Sequence, residues 1–262
     1  MTDSIMDRNE RNLEKEKEVF EAAILEPIGE IPTDWDEEAT NSLVDDIVAG
    51  KVFAIGEMHG VKENPSILYT FIKKFNFRQL GIEWDKEVSR VVDLFQNDQA
   101  LDYSSIMNSS DGRITAGYFS MLKRVREERL IESVFFFDDK DSWSHRDEVM
   151  AQEIIGHTAD SVPTIVVAGN AHTDLKDIRE GDGTTHPSMV KFLEDKEKSF
   201  CMGEIKYLSG QFFNNEVKDF GNVEEARSRT ARFYRNESGV YIYELPVASL
   251  AVVPNPTGIY IG

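Results

Sequence analysis

Apolar positions along this chain cluster into short unbroken runs, and the stretches between them carry helical spacing. "KVFAIG" (51–56), "QLGIE" (79–83), "SVFFFD" (133–138), "TIVVAG" (164–169) and "SFCMGEI" (199–205) read as strands. "DEEATNSLVDDIVAG", "NPSILYTFIKKFN", "KEVSRVVDLFQN", "FSMLKRVREERL", "SHRDEVMAQEIIGHTA" and "SMVKFLEDK" read as helices. Gly50 closes the first, Pro65 sits in the first turn of the second, and Ser144 is placed to cap the fifth. The strands are continuously apolar rather than alternating, so both of their faces are expected to be covered. Alternation with helices then predicts an α/β fold: an α/β/α sandwich around a mainly parallel sheet. "GVYIYELP" and "SLAVVP" read as closing C-terminal strands, and residues 97–131 as a small helical or irregular excursion. Residues 1–36 read as a charged arm or helix, broken by Pro27, Gly29 and Pro32, with a single domain over 37–262.

Composition narrows the partners. The 262 residues are 40% hydrophobic, enough for a substantial core, and carry a formal charge of −19. The first 40 residues alone hold 13 acids against 4 bases. Such a chain is repelled by nucleic acid and by anionic membranes, so neither is an expected partner. Cys201 is the only cysteine, which excludes an intrachain disulfide and fits a reducing, cytoplasmic setting. The N-terminal stretch lacks a basic segment followed by an apolar one, and no apolar run approaches the ~18 residues of a membrane span.

The chemistry lies in the polar residues at the end of each strand. "VFAIG" runs into Glu57 and His59, "QLGI" into Glu83, "SVFFF" into Asp138 and Asp139, and "TIVVAG" into Asn170 and His172. In a parallel sheet the carboxyl ends share one edge, where open α/β folds bind ligands. Four segments are thus expected to deliver two imidazoles and several carboxylates to one cleft. An imidazole takes a proton from water near neutral pH, and a neighbouring carboxylate orients it and favours its protonated form. Two histidines with a glutamate also suit a divalent metal that activates water. Arg146, in the first turn of its helix, is placed to pair with a carboxylate or bind an anionic oxygen. Asp138 and Asn170 are candidate substrate-binding groups. No HExxH helix, GxSxG elbow or Walker loop is present. Cys201 reads as core. His145, His157 and His186 read as helix-end or loop residues, and the arginines of "RSRTARFYR" as a solvated helix face paired with "NVEEA".

Taken in order, "AIGEMHG", "FRQLGIEWDKE", "FFFDD", "SHRDEVMAQEI", "IVVAGNAHT" and "GEIKYLSGQFF" resemble the erythromycin esterase/ChaN-like superfamily, from about residue 50 to about 215. The resemblance implies an α/β/α sandwich with an open cleft at the strand carboxyl ends. Esterase members hydrolyse a macrolide lactone with a histidine that activates water. That role falls on His59, with Glu57, Glu83, Arg146 and His172 as its matching neighbours. Other members bind haem, and related proteins act as metal-dependent proteases. The Glu57-x-His59 spacing is one residue shorter than the esterase pattern and closer to the haem and protease branches. The expectation is therefore a hydrolase of an ester, lactone or amide in a small-molecule or peptide substrate, needing either no cofactor or a divalent metal. A haem- or metal-binding protein without catalysis is the alternative.

Overall fold

The structure, a computed structural model, describes residues 15, 17–97, 106, 111–139, 145–159, 161–179, 183–255 and 258–260. Its strands are β1 (Thr33–Trp35), β2 (Val52–Glu57), β3 (Gln79–Asp85), β4 (Ser133–Asp138), β5 (Thr164–Gly169), β6 (Ile178–Arg179), β7 (Thr185–His186), β8 (Phe200–Asn214), β9 (Glu216–Phe220), β10 (Ala231–Arg235), β11 (Tyr241–Ala248), β12 (Val253–Asn255) and β13 (Gly258–Tyr260). The helices are α1 (Glu37–Val48), α2 (Asn64–Phe75), α3 (Val88–Gln96), α4 (Ala116–Glu127), α5 (Arg146–His157), α6 (Asn170–Thr173), α7 (Met189–Asp195) and α8 (Val223–Ala226). The main sheet runs β1-β10-β11-β8-β2-β5-β3-β4, with β9 folded back on β8. Every pairing from β11 across to β4 is parallel, and β10 runs antiparallel to β11. The carboxyl ends of β2, β5, β3 and β4 therefore lie side by side, as the chain's pattern predicts.

The unbroken apolar runs follow from burial on both faces. Phe53, Ile55, Ile82, Ile165 and Val167 face a large core shared with α1, α2 and α4. Val52, Ala54, Phe135, Phe137, Val166 and Ala168 face the opposite way, onto Met150, Ala151 and Ile154 of α5 and Met189, Val190 and Leu193 of α7. The N-terminal segment is helical over 17–24 and buries Phe20 and Ile24, with Ile28 following, so it lies on the domain rather than away from it. Asp36 caps α1 through the Ala39 N–H at 2.8 Å. The Ser144 cap of α5 lies outside the described residues.

One segment departs from its expected form. None of the arginine-rich stretch 227–235 is helical: α8 (Val223–Ala226) ends before it, and Ala231–Arg235 is strand β10. Ala231 and Phe233 are buried while Arg232 and Arg235 are exposed. The charge run masked a half-buried strand whose Phe233 packs on Trp35, Phe71 and Phe75.

Candidate active site

Glu57 closes β2, and the chain then turns sharply through His59 and Gly60. Gly60 has φ +70°, and a Cβ there would lie 2.2 Å from the Phe213 carbonyl oxygen. Its N–H donates to the Gly112 carbonyl at 2.9 Å, and Gly112, at φ +81°, packs on the same Phe213 carbonyl. Three distant segments, the turn after β2, the 111–115 loop and the far end of β8, are thereby pressed together backbone to backbone. The Trp84 indole N–H, which donates to the Arg113 carbonyl at 3.0 Å, ties in β3.

His59 lies between two carboxylates. Its Nδ1 is 3.3 Å from Glu57 Oε1, and its Nε2 is 3.9 Å from Glu83 Oε2. Glu57 is buried, and the Tyr118 hydroxyl donates to its Oε2 at 2.5 Å. A second pair mirrors the first: His172 Nδ1 is 2.8 Å from Asp147 Oδ1, which also accepts the Met189 N–H at 2.7 Å. His172 Nε2 is 3.5 Å from Glu83 Oε1. The two imidazoles thus face the same carboxylate from opposite sides, each backed by its own acid. His186 Nδ1 lies 3.8 Å from the outer oxygen of Asp147.

Two guanidiniums hold Glu83 and Asp138 in place. Arg146 donates from Nη2 to Glu83 Oε1 at 2.5 Å, and from Nε and Nη2 to the two Asp138 oxygens at 2.7 and 2.8 Å. Arg113 pairs with Glu83 at 3.2 Å, with Asp138, and with Asp111 through Nε at 2.7 Å. Glu83 Oε2 also accepts the Gly169 N–H at 2.6 Å. Asn170 begins α6, and its Oδ1 is buried beside Gly56 without a hydrogen-bond partner among the described residues.

These contacts set the protonation states. Burial opposes ionisation of Glu83, but His172, Arg113, His59 and Arg146 together hold its carboxyl well below the ordinary range. Burial pushes Glu57 up, partly offset by its bond to His59. Burial likewise works against the His59 cation, yet the Glu57 bond and the charges of Glu83 and Asp111 outweigh it and raise His59 above its ordinary value. Tyr118 is driven well up by burial and by Glu57, so it stays a neutral donor.

The structure gathers Glu57, His59, Glu83, Asp138, Arg146 and His172 into one cluster, with Asn170 at its flank. It adds Asp111, Arg113, Tyr118 and Asp147, which sequence reasoning missed. Asp147 follows Arg146 directly, and an acid in the first turn of a helix reads as an ordinary dipole partner. Arg113 and Tyr118 sit in the excursion and carried no local signal. Cys201 faces the core, and burial pushes its thiol up, so it is no nucleophile.

Among the described residues, no set of three His, Cys, Asp or Glu side chains is arranged to hold a metal ion. The donor set explains this: the oxygens of Glu83 and Asp138 are taken by two guanidiniums, where a divalent cation would meet like charge. A haem would set its apolar face against the same ionised groups, which does not fit either. Among the described residues, no helix is long and apolar enough to cross a membrane.

Comparison of the sequence with family models and with curated proteins gave no match. Two solved structures are similar in chain path. The C-terminal region of Pasteurella multocida toxin, described as having a thiol-protease like catalytic triad, aligns with a TM-score of 0.44 at 10% identity. That alignment covers 85% of this chain and 27% of the toxin chain, so the protein spans about a quarter of the toxin chain's length. A Bacillus cereus protein aligns with a TM-score of 0.49 at 8% identity, over 90% of this chain and 98% of that one. At such identity and overlap, neither neighbour assigns a chemistry to this chain.

Proposed function

We propose that the protein is a hydrolase in which His59 activates water to cleave an ester, lactone or amide. The observation that carries this reading is the pair of acid-backed imidazoles, Glu57–His59 and Asp147–His172, converging on Glu83 beside the Arg146 guanidinium. The resemblance of the strand-end motifs to the erythromycin esterase/ChaN-like superfamily supports it.

His59 takes a proton from water at Nε2, and Glu57 at Nδ1 stabilises the imidazolium that forms. The hydroxide equivalent adds to the carbonyl carbon. Arg146 faces the negative charge that develops on the carbonyl oxygen. His59 passes the proton it took from water to the departing alkoxide or amine, and His172, with Nδ1 on Asp147 and Nε2 accepting from Arg146 Nη1 at 3.3 Å, holds that guanidinium toward the carbonyl oxygen. The balance is one water consumed, one acid and one alcohol or amine released. Glu83, held as an anion, supports the imidazolium of His59, and it is too tightly bound by arginine to act as nucleophile.

The test is a panel of esters, lactones and peptides assayed with wild type, His59→Ala and Glu83→Gln. His59→Ala is expected to lose about 10²- to 10⁴-fold in kcat/KM. No turnover by wild type on any class, or full activity in His59→Ala, overturns the reading. A Soret band appearing on haem addition and lost in His59→Ala would replace it with cofactor binding.

A further inference from the structure

Beside the acid/base cluster lies a cleft of about 510 Å³, between the 170–176 segment and the turn joining β10 to β11. Met202 and Glu204 of β8 line it, with Asn170, Lys176, Asn236 and Ser238 around its rim. Its link to the catalytic turn is direct. Glu204 pairs in register with Gly56, one strand away from the residue before Glu57. Gly56 lets α6 sit close on this strand: a Cβ there would lie 2.2 Å from Thr173 Oγ1 and 2.5 Å from Asn170 Oδ1, and both residues line the cleft. With neighbouring strands about 4.8 Å apart, Glu204 lies beside Gly56, three residues before His59.

Glu204 is the notable group in this cleft. It is an exposed carboxylate with no ion pair or side-chain hydrogen bond among the described residues. Its register partner on β11 is the apolar Ile242. The lysine on the rim, Lys176, is paired with Asp174 at 3.2 Å and so does not neutralise it. Lys206 lies two residues further along β8, in register with Glu244, and does not line the cleft. The neighbouring cluster sets five carboxylates (Glu57, Glu83, Asp111, Asp138 and Asp147) against two guanidiniums, in a chain of net charge −19. Both fields favour a cation and disfavour an anion.

We infer that this cleft is a substrate subsite in which Glu204 receives a protonated amine, so that the preferred substrates carry a cationic group several bonds from the scissile carbonyl. The asparagines and Ser238 supply polar partners for the rest of that group. Phosphate- and carboxylate-bearing substrates are excluded by the same charges. The inference takes its reaction from the hydrolase reading, but the subsite itself is separately testable.

The experiment compares the 6-aminohexyl, hexyl and 5-carboxypentyl esters of one acyl group, with wild type and Glu204→Gln. Wild type is expected to favour the aminohexyl over the hexyl ester by about three- to tenfold in kcat/KM, expressed in KM, with the carboxypentyl ester the poorest. Glu204→Gln brings the aminohexyl-to-hexyl ratio close to one. Equal rates in wild type, or a ratio that survives Glu204→Gln, overturns the subsite. Binding of hexylammonium, followed by backbone-amide shifts at Asn170 and Glu204, separates the two readings. If no ester is cleaved but hexylammonium shifts these amides in wild type and not in Glu204→Gln, the subsite stands and the hydrolase falls. If those shifts are missing, or are unchanged in Glu204→Gln, the subsite falls whatever the esters show.

Discussion

His59 works under an electrostatic load that sets its operating range. Three carboxylates raise its pKa against the effect of burial. In the proposed role of base it must be neutral, so the rising limb of kcat/KM is expected above pH 6.5, its ordinary value. Glu57→Gln keeps the shape and an acceptor for the Tyr118 hydroxyl but removes one negative charge. The imidazolium then loses support, the His59 pKa falls, and the limb moves to lower pH. A pH–rate profile of both proteins, or an NMR titration of the His59 ring, checks the direction; a limb that stays in place would rule out Glu57 as its charge partner. Gly169 is the second sensitive point. A Cβ there would approach His59 Nε2 at 3.1 Å, without meeting backbone. Gly169→Ala is therefore expected to reduce turnover at least tenfold while shifting the urea midpoint little, because it crowds the His59 ring rather than the core.

At the scale of elements, Gly60 carries the turn. Gly60→Ala combines a left-handed φ with a backbone collision, and is expected to cost about 2–4 kcal/mol in urea unfolding. Gly29→Ala, where a Cβ meets nothing within 4 Å, is the matched control, expected within about 0.5 kcal/mol. The elements also show why some of the site was legible and some was not. β2, β3, β4 and β5 announce themselves because burial on both faces removes polar residues from them, so the first polar residues afterwards, Glu57, Glu83, Asp138 and Asn170, stand out. Arg146 was legible as a charge in a helix's first turn. Arg113 was not: its place depends on a Gly60–Gly112 contact and a Trp84 bond spanning 29 residues, neither of which leaves a periodic trace. Tyr118 looks like any core aromatic of an amphipathic helix. β10 was hidden because its exposed positions are arginines, which mimic a polar helix face.

For the molecule as a whole, the buried cluster couples stability to pH. Glu83 has a folded pKa well below its ordinary 4.5. A depressed carboxylate contributes stability that is present above the unfolded value and is lost as pH falls through the folded one. Its contribution is thus complete at neutral pH and disappears only well below pH 4.5. Removing a guanidinium changes this. Arg113→Gln leaves buried carboxylates undercompensated and is expected to cost about 3 kcal/mol at pH 7, and less at pH 4, where Glu83 can take up a proton. Urea unfolding at the two pH values tests it, and an equal cost at both would show that Arg113 acts by packing alone.

The meeting of Gly60 with Gly112 has a consequence for how the protein folds. The chain leaves the catalytic turn, travels through residues 61–111 with β3 and Glu83 on the way, and returns to its starting point. Closing a circuit of that length costs on the order of 3 kcal/mol of chain entropy before Arg113 can reach Glu83. A partly folded chain with an open circuit holds His59 and Glu57 but not the second guanidinium. Any activity that needs both guanidiniums is therefore expected to return on refolding with the phase that closes this circuit, not with the earlier appearance of helix and sheet.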